Sequence, residues 1–518
     1  METITTDVLI IGAGAAGIRA AVSACEAEAE VIVIGRGPLA ESGSTFSTLS
    51  SGWGLQALVG TERTPKALED FYDDIMRVGL GCCNAKLARI LVEESGARFE
   101  DLQFYGIRFK KDDQGRHMRV AGCFSDTPRA FVTESLANVK HSMVSIFCRP
   151  PANSIRFITG FALSLIASDK VCGGAWVWED SGHTIKICAK ATVLSTGGGA
   201  GLFEHHMVSD FEIGQGYALA HEAGADLANL EFIQFMPGYR KGPRPCFLPI
   251  DALEQPGRLV DQKGRDLLTK HIPDAAERAK AVATRKTHFP FSCRDESCLV
   301  DLAITIENAQ DGQAFWTDSA SIEDLYEVVH FSHAFNGGIC IGDGAQTTVG
   351  GLFAAGEVAA GPHGADRIGG CMMTATQVFG ERAGRYAALH AKRKNVRADD
   401  GTEKRFTTRL HTKKRGSGDE AASKLTSAVQ NIFSRQVGIL RNAMGLRACL
   451  DAIKRAEADL VQIADISLPV FYRTHQTLLT MRLITKAALK RKESRGAHFR
   501  QDFPPGNYRT IIAPASAN

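Results

Sequence analysis

Apolar residues gather at Val8–Ile11 and again at Val31–Ile34, and between them a glycine cluster opens an alanine-rich stretch with apolar positions at helical spacing. Residues 7–34 therefore predict strand, glycine turn, helix and strand, a βαβ unit. Two later apolar runs, "KATVLSTGGGAG" (190–201) and "GGLFAAGEVAAG" (350–361), also end in glycines. Three strands that each finish this way can bring backbone against one ligand from distant parts of the chain. "QVFGERAGRYAALHAKRKN" (377–395) has the period of a helix. From Ala421 onward apolar residues keep helical spacing as far as "LPVFYRTHQTLLTMRLITKAALKRKESRG", which predicts three C-terminal helices.

Two stretches break the pattern. Residues 236–334 contain Pro237, Pro243, Pro245, Pro249, Pro256, Pro273 and Pro290 and read as a separate insert. Residues 396–420 are polar and charged and read as a linker. The predicted division is thus 1–235 and 335–395 as two parts of one domain, 236–334 as the insert, and 421–518 as a helical domain with a tail. No internal repeat is evident.

Composition narrows the function. A chain of 518 residues with 44% apolar content can bury several cores, and a net charge of +2 gives no field that suits nucleic acid or another polyanion. Thirteen cysteines, an odd number with no CxxC, argue against a disulfide framework and against an iron–sulfur or zinc site held by this chain alone. A reducing, cytoplasmic setting is expected. The first apolar run leaves no room for a signal peptide before it, and no run of about 18 apolar residues predicts a membrane span.

"GAGAAG" (Gly12 to Gly17) is a GxGxxG placed after a strand and at the start of a helix. In that context Gly12 permits the tight turn, Gly14 lets backbone approach a pyrophosphate at the helix N-terminus, and Gly17 allows close helix–strand packing. A tight turn with no ligand is the plainer alternative. The second strand ends in Gly35 and Arg36, so no acidic residue stands at its tip for an adenosine ribose. On this motif alone, FAD and NAD both remain open.

With "TGGGAGLF" (196–203), "GYALAHEAGADLANLEFIQF" (216–235), "CRDE" (293–296), "HAFNGGI" (333–339), "GLFAAGEVAAGPHGADRIGG" (351–370), "VFGERAG" and "ESRGAHFRQDFP" (493–504), the chain resembles a known family over nearly its whole length. It is similar to the flavoprotein subunits of succinate dehydrogenase and fumarate reductase, with L-aspartate oxidase and adenylylsulfate reductase. The resemblance implies an α/β fold in which a Rossmann-like FAD-binding domain is interrupted by an α+β capping domain and followed by a C-terminal helical domain.

It also implies FAD as cofactor. Where membrane-bound members carry the histidine that bonds to the flavin, this chain has Ser44 before Thr45, which implies noncovalent FAD. The expected cofactor-binding residues are Gly12, Gly14, Ala15, Ala16 and Gly17, Gly35 and Arg36, Ser44 and Thr45, Thr196, Gly197 and Gly198, then Glu357 for the ribityl chain, His363 for the flavin edge, and Arg367, Gly370, Met372 and Met373. A solvated loop carboxylate is the plainer reading of Glu357, and a buried structural thiol that of Cys371, which could otherwise pair with Cys340.

Family members move a hydride between flavin N5 and a carbon next to a carboxylate. Arg294 falls where they place the acid–base arginine, and His333 and Arg367 where they place carboxylate-binding groups. An arginine can fork onto a carboxylate, and a dry, cation-rich site makes proton donation by a second arginine feasible. A surface salt bridge for Arg294 and a satisfied core histidine for His333 are the bland readings.

The opposite half of the expected pocket departs from the family. Met236 stands in place of a histidine, Gly238 in place of a threonine, and the acidic–basic segment that holds a second carboxylate is not recognisable. A simple C4 dicarboxylate therefore fits poorly, and Met236 suits an apolar wall. Val120 replaces the glutamate that meets the amine in aspartate oxidases. Tyr239, Arg240, Lys241 and Arg244 are basic-segment residues that could reach a carboxylate or lie in solvent.

The expected function is reduction or formation of a C=C bond beside a carboxylate, with electrons exchanged through a separate iron–sulfur or ferredoxin-like protein partner. Membrane contact is expected only through such a partner. An oxidase that passes electrons to O2 is the alternative enzyme. A flavin-binding assembly or electron-carrier subunit without catalysis is the alternative from another class.

Overall fold

Val8, Leu9, Ile10 and Ile11 point alternately to the two faces of a strand, yet none is more than 2% exposed. Burial on both faces is the mark of a parallel sheet covered on both sides. The computed structural model of the chain describes residues 2–47, 52–147, 154–241, 244–249, 253, 258–309, 312–317, 325–394 and 416–505, with the side chains of residues 241 and 244 outside that set. The strands that carry the architecture are, in chain order, β1 (Glu2–Ile11), β2 (Val31–Gly35), β3 (Ile155–Ser168), β4 (Val171–Glu179), β5 (His183–Leu194), β6 (Ile233–Lys241), β7 (Arg244–Phe247), β8 (Leu259–Val260), β9 (Phe315–Trp316), β10 (Tyr326–Phe335) and β11 (Leu352–Ala354). The helices used below are α1 (Ala15–Glu26), α2 (Cys371–Ala391), α3 (Asp419–Gln436), α4 (Ala443–Leu460) and α5 (Leu468–Lys490).

A parallel sheet runs β11–β5–β1–β2–β3. Strands β3 and β5 outgrow it. Residues 155–159 of β3 pair with β2, whereas residues 160–168 pair antiparallel with β4, and β4 pairs in turn with the first half of β5. β1 begins at Glu2 rather than Asp7 because residues 2–6 continue the ladder against residues 185–189 of β5.

Helix α2 starts at Cys371, six residues before the predicted helix, behind Gly370 in the left-handed region (φ 89°). It lies directly on α1. A Cβ at Gly384 would stand 2.0 Å from the Ala20 carbonyl oxygen, so the glycines of "VFGERAG" are what let the two backbones approach.

A second, five-stranded antiparallel sheet has the order β7–β6–β10–β9–β8. Its β6–β10 ladder shifts register between Gln234 and Phe235, a bulge that re-aims the side chains at its base. The C-terminal region is helical through α3, α4 and α5. α3 begins at Asp419, and Asp419 and Glu420 in its first turn suit the positive helix end. Residues 395–415, most of the predicted linker, lie outside the described residues.

The segment after α5 returns to the interior. Cys293 N donates to Gly496 O across 2.8 Å, and Ala497 N donates to Ala365 O across 3.1 Å. The strap therefore sits between the "CRDE" loop and the "HGADRIGG" loop.

Candidate active site

The glycine ends of β1, β5 and β11 converge on one cavity of about 450 Å3, a size usual for small-molecule and cofactor sites. At its base Gly12 adopts φ 112°, and a Cβ there would lie 2.3 Å from Ser195 O. Gly14 is the N-cap of α1, and Thr45 Oγ1 accepts from Ala15 N at 3.2 Å. Trp53 Nε1 donates to Thr45 O at 2.9 Å and holds that loop against the helix end. Exposed N–H groups at a helix N-terminus form an anion site.

At the tip of β2 the Arg36 guanidinium lies between the rings of Phe161 and Phe211, 5.0 and 4.6 Å from their centroids. Its Nε has no partner among the described residues, and burial pushes its acidity up, lowering its pKa. Its unpartnered N–H is a donor at a strand tip where no carboxylate is present.

Two carboxylates line the middle of the cavity, Glu212 and Glu357. Glu212 Oε1 accepts from Ser44 N at 2.5 Å and from Ser44 Oγ at 2.6 Å, while its buried Oε2 has no partner among the described residues. Glu357 Oε1 accepts from Phe335 N at 2.9 Å, close to where Gly198 leaves room for it. Burial raises the pKa of both, and for Glu357 the negative charge of Glu212 adds to it. A free acceptor deep in the cavity suits the hydroxyl groups of a nucleotide cofactor. The residues from the glycine turn to these carboxylates thus fit FAD.

At the far end stand Arg367 and His333. Arg367 is 8% exposed; its Nη2 donates to Gln234 Oε1 at 2.7 Å, and its Nε has no partner among the described residues. The bulge in β6 aims Gln234 at it. Burial, with the positive charge of Arg367, holds His333 down at about 4, so its ring is neutral at physiological pH. The wall beside them is apolar: Met207 and Met236 pack on Phe331, and Phe247 meets the edge of Phe289 at 4.9 Å.

The remaining expected residues are placed as follows. Ala15, Ala16, Thr196, Gly197, Gly370, Met372 and Met373 line the same cavity. Gly17 and Gly35 do not; a Cβ on them would meet Gly12 O at 1.9 Å and the Phe157 ring at 2.5 Å, so they serve close packing. His363 is buried outside the lining, with Nε2 unpartnered and its pKa pushed well down by burial.

Arg294 also stands outside the lining. Its Nε donates to Asp366 Oδ2 at 2.9 Å, its Nη2 to Val78 O at 2.7 Å, and its guanidinium lies 4.8 Å from the Phe124 centroid. Val120 is 45% exposed on an edge strand and Tyr239 packs on Trp316 and Tyr326, so neither reaches the cavity. Arg240 is exposed outside the lining, and the side chains of Lys241 and Arg244 lie outside the described residues. Cys371 and Cys340 are both free thiols. Glu212, Gln234 and Asp366 were not expected from sequence. The only sign of Glu212 was an acid shortly after a glycine-ended strand.

A family model described as an FAD binding domain matches residues 7–373, and one described as the C-terminal part of the fumarate reductase flavoprotein matches residues 426–510. The chain is 29% identical to a subunit of Fumarate reductase (CoM/CoB) from Methanothermobacter marburgensis, over 97% of this chain and 95% of that one. It is 28% identical to L-aspartate oxidase of Mycobacterium leprae, over 96% and 92% of the two chains. The solved structure of Mycobacterium smegmatis Sdh1 in complex with UQ1 shares the fold, with a TM-score of 0.79 at 24% identity over 97% of this chain and 90% of that one.

Proposed function

The chain belongs to the FAD-dependent oxidoreductase family of the fumarate reductase, succinate dehydrogenase and L-aspartate oxidase flavoproteins, with FAD as its cofactor, and on that premise we propose that it reduces a C=C bond, or dehydrogenates a CH–CH bond, beside a carboxylate. The observation that carries this reading is Arg367, a buried guanidinium with an unpartnered Nε at the far end of the cavity that begins at the Gly12–Gly17 turn. FAD bound there supplies hydride transfer at its N5 atom.

In this reading Arg367 takes the substrate carboxylate in its planar fork, and Gln234 keeps that fork in place through Nη2. His333, neutral, adds a hydrogen bond without a second charge. Arg294 moves the proton; Asp366 and Val78 hold Nε and Nη2, leaving Nη1 without a hydrogen bond among the described residues. Ser44, bonded to Glu212 where a flavin-linking histidine would stand, supports noncovalent FAD.

The proposal keeps Gly12, Gly14, Ala15, Ala16, Arg36, Thr45, Thr196, Gly197, Glu357, Gly370, Met372 and Met373 as direct cofactor contacts, with Gly17, Gly35, Gly198 and His363 shaping the site behind them. It also keeps the division into a flavin domain in two parts, a cap and a helical domain. The fumarate reductase relative is named as one subunit of its enzyme, which supports electron exchange through an iron–sulfur or ferredoxin-like partner. Among the described residues no helix is long and apolar enough to cross a membrane, so membrane contact would come through that partner.

Anaerobic photoreduction of the holoprotein, followed by a panel of unsaturated acids, tests the reaction: at least one acid must restore the yellow colour. Rapid bleaching reversal and peroxide formation in air, with no response to any acid, would replace it with an oxidase. No response to either would leave a flavin-binding protein without catalysis. Arg294→Gln is expected to abolish turnover with FAD retained.

A further inference from the structure

Two arginines and one histidine line the cavity, Arg36, Arg367 and His333, and Arg36 belongs to the end at the tip of β2. That leaves, among the described residues, one permanent positive charge at the substrate end, Arg367, beside a histidine that burial keeps neutral. The wall beside it includes Met207, Met236 and Phe247. Met207 and Met236 are 7% and 8% exposed and rest on the fully buried Phe331. Behind that wall Arg240 lies 5.9 Å from the Phe331 centroid, outside the lining, and His205 meets the same ring from 5.9 Å. Phe331 thus separates both from the cavity.

A substrate with two carboxylates would place its second charge against thioethers and a ring, in a lining whose ionisable groups besides Arg36, Arg367 and His333 are the carboxyls of Glu212 and Glu357. An unpaired carboxylate in such surroundings is strongly disfavoured. Methionine, by contrast, is flexible and polarizable and packs well on an aromatic or aliphatic group of irregular shape. Phe247, 47% exposed, adds an aromatic ring to the same wall.

We propose that the substrate is an unsaturated monocarboxylate, its carboxylate held by Arg367 and His333 and its far carbon carrying an apolar group of about ring size that lies against Met207, Met236 and Phe247. This rests on the reading above. Reduction adds two electrons and two protons across the C=C bond; the electrons are those stored in reduced FAD, the hydride carries one hydrogen, and the second arrives as a proton through Arg294.

The test uses photoreduced holoprotein under argon and follows flavin reoxidation by trans-cinnamate and by fumarate at equal concentration. Cinnamate should act at least about tenfold faster, the scale set by one mismatched group in a specific pocket. Met236→His, which returns a donor to the wall, should narrow that ratio, and the visible spectrum of its bound flavin shows that the variant is folded. Fumarate acting as fast as cinnamate, or an unchanged ratio in a folded Met236→His, overturns the inference and leaves the C=C chemistry standing. Failure of cinnamate while another acid of the panel acts also overturns the inference, whereas failure of every acid, with air still reoxidising the flavin, overturns the chemistry itself.

Discussion

Nε of Arg294 donates to Oδ2 of Asp366 across 2.9 Å, and Asp366 directly precedes Arg367 in the chain. One hydrogen bond therefore ties the arginine of the "CRDE" loop to the loop that carries the buried cavity arginine. Asp366 is 1% exposed and also accepts from Ser292 Oγ at 2.7 Å, while its Oδ1 has no partner. Burial pushes its carboxyl up, and the charge of Arg294 pulls it back.

Replacing Asp366 by Asn keeps the shape and removes the charge. A buried ion pair that loses one partner costs about 3 kcal/mol of stability, so the unfolding midpoint should fall while FAD stays bound. Arg294 also loses the charged acceptor that holds its Nε in place, so kcat should fall roughly tenfold or more with little change in KM. A drop in stability with kcat unchanged would reduce Asp366 to a structural role.

Glu212 predicts a pH effect on the FAD-free protein. Its folded pKa is raised by burial. As pH climbs above the ordinary carboxylate range the unfolded chain ionises this group first while the folded chain keeps the proton, so stability is full in acid and is lost toward neutral and higher pH. Glu212→Gln removes that titration. Thermal unfolding of the variant and the parent should coincide near pH 4 and separate by several degrees at pH 8, with the variant more stable. Equal midpoints at both pH values would contradict a buried, unpaired carboxylate at this position.

How far these features were legible in the sequence depends on their range. The βαβ unit and the three glycine-ended strands rest on neighbouring residues, and period and glycine spacing reveal them. The departure at Met236 was equally plain, since one residue type replaces another in a fixed motif. Glu212 was not, because its meaning comes from Ser44, 168 positions away. The double role of β3 and β5 was hidden too: an apolar run of β3 looks the same on both sides of Thr159, where the partner changes from β2 to β4. The placement of Arg294 behind the cavity lining depends on Asp366 and Val78, two contacts from other parts of the chain.

His333 gives a second pH prediction of opposite sign. Burial and Arg367 hold it at about 4, against an ordinary value of 6.5. Above 6.5 both folded and unfolded states are neutral there; as pH falls from 6.5 toward 4 only the unfolded state gains the proton, and stability declines through that window. Substrate binding should show no inflection near 6.5 from this residue. His333→Gln, which cannot titrate, should bind the carboxylate with a KM within about tenfold of the parent and flatten the acid loss of stability; an acid limb near 6.5 that disappears in this variant would show that the ring ionises.

Arg367 and Gln234 separate charge from geometry. Arg367→Lys keeps the charge but cannot form the fork or reach both Gln234 and a carboxylate, so the anchor becomes a mobile point charge. Losing a charged, buried hydrogen bond costs about 2–4 kcal/mol, which at 1.4 kcal/mol per tenfold is a fall of roughly 30- to 1000-fold in kcat/KM. Gln234→Leu leaves the fork intact and strips only the partner of Nη2. The guanidinium then has one more unsatisfied donor in a buried site, so the substrate carboxylate becomes its main counter-group. Affinity should change by less than about tenfold, and the larger effect should be on stability without substrate. If Arg367→Lys retained kcat/KM within about threefold while Gln234→Leu abolished it, the anchor would be Gln234, and the assignment of the carboxylate to Arg367 would fail.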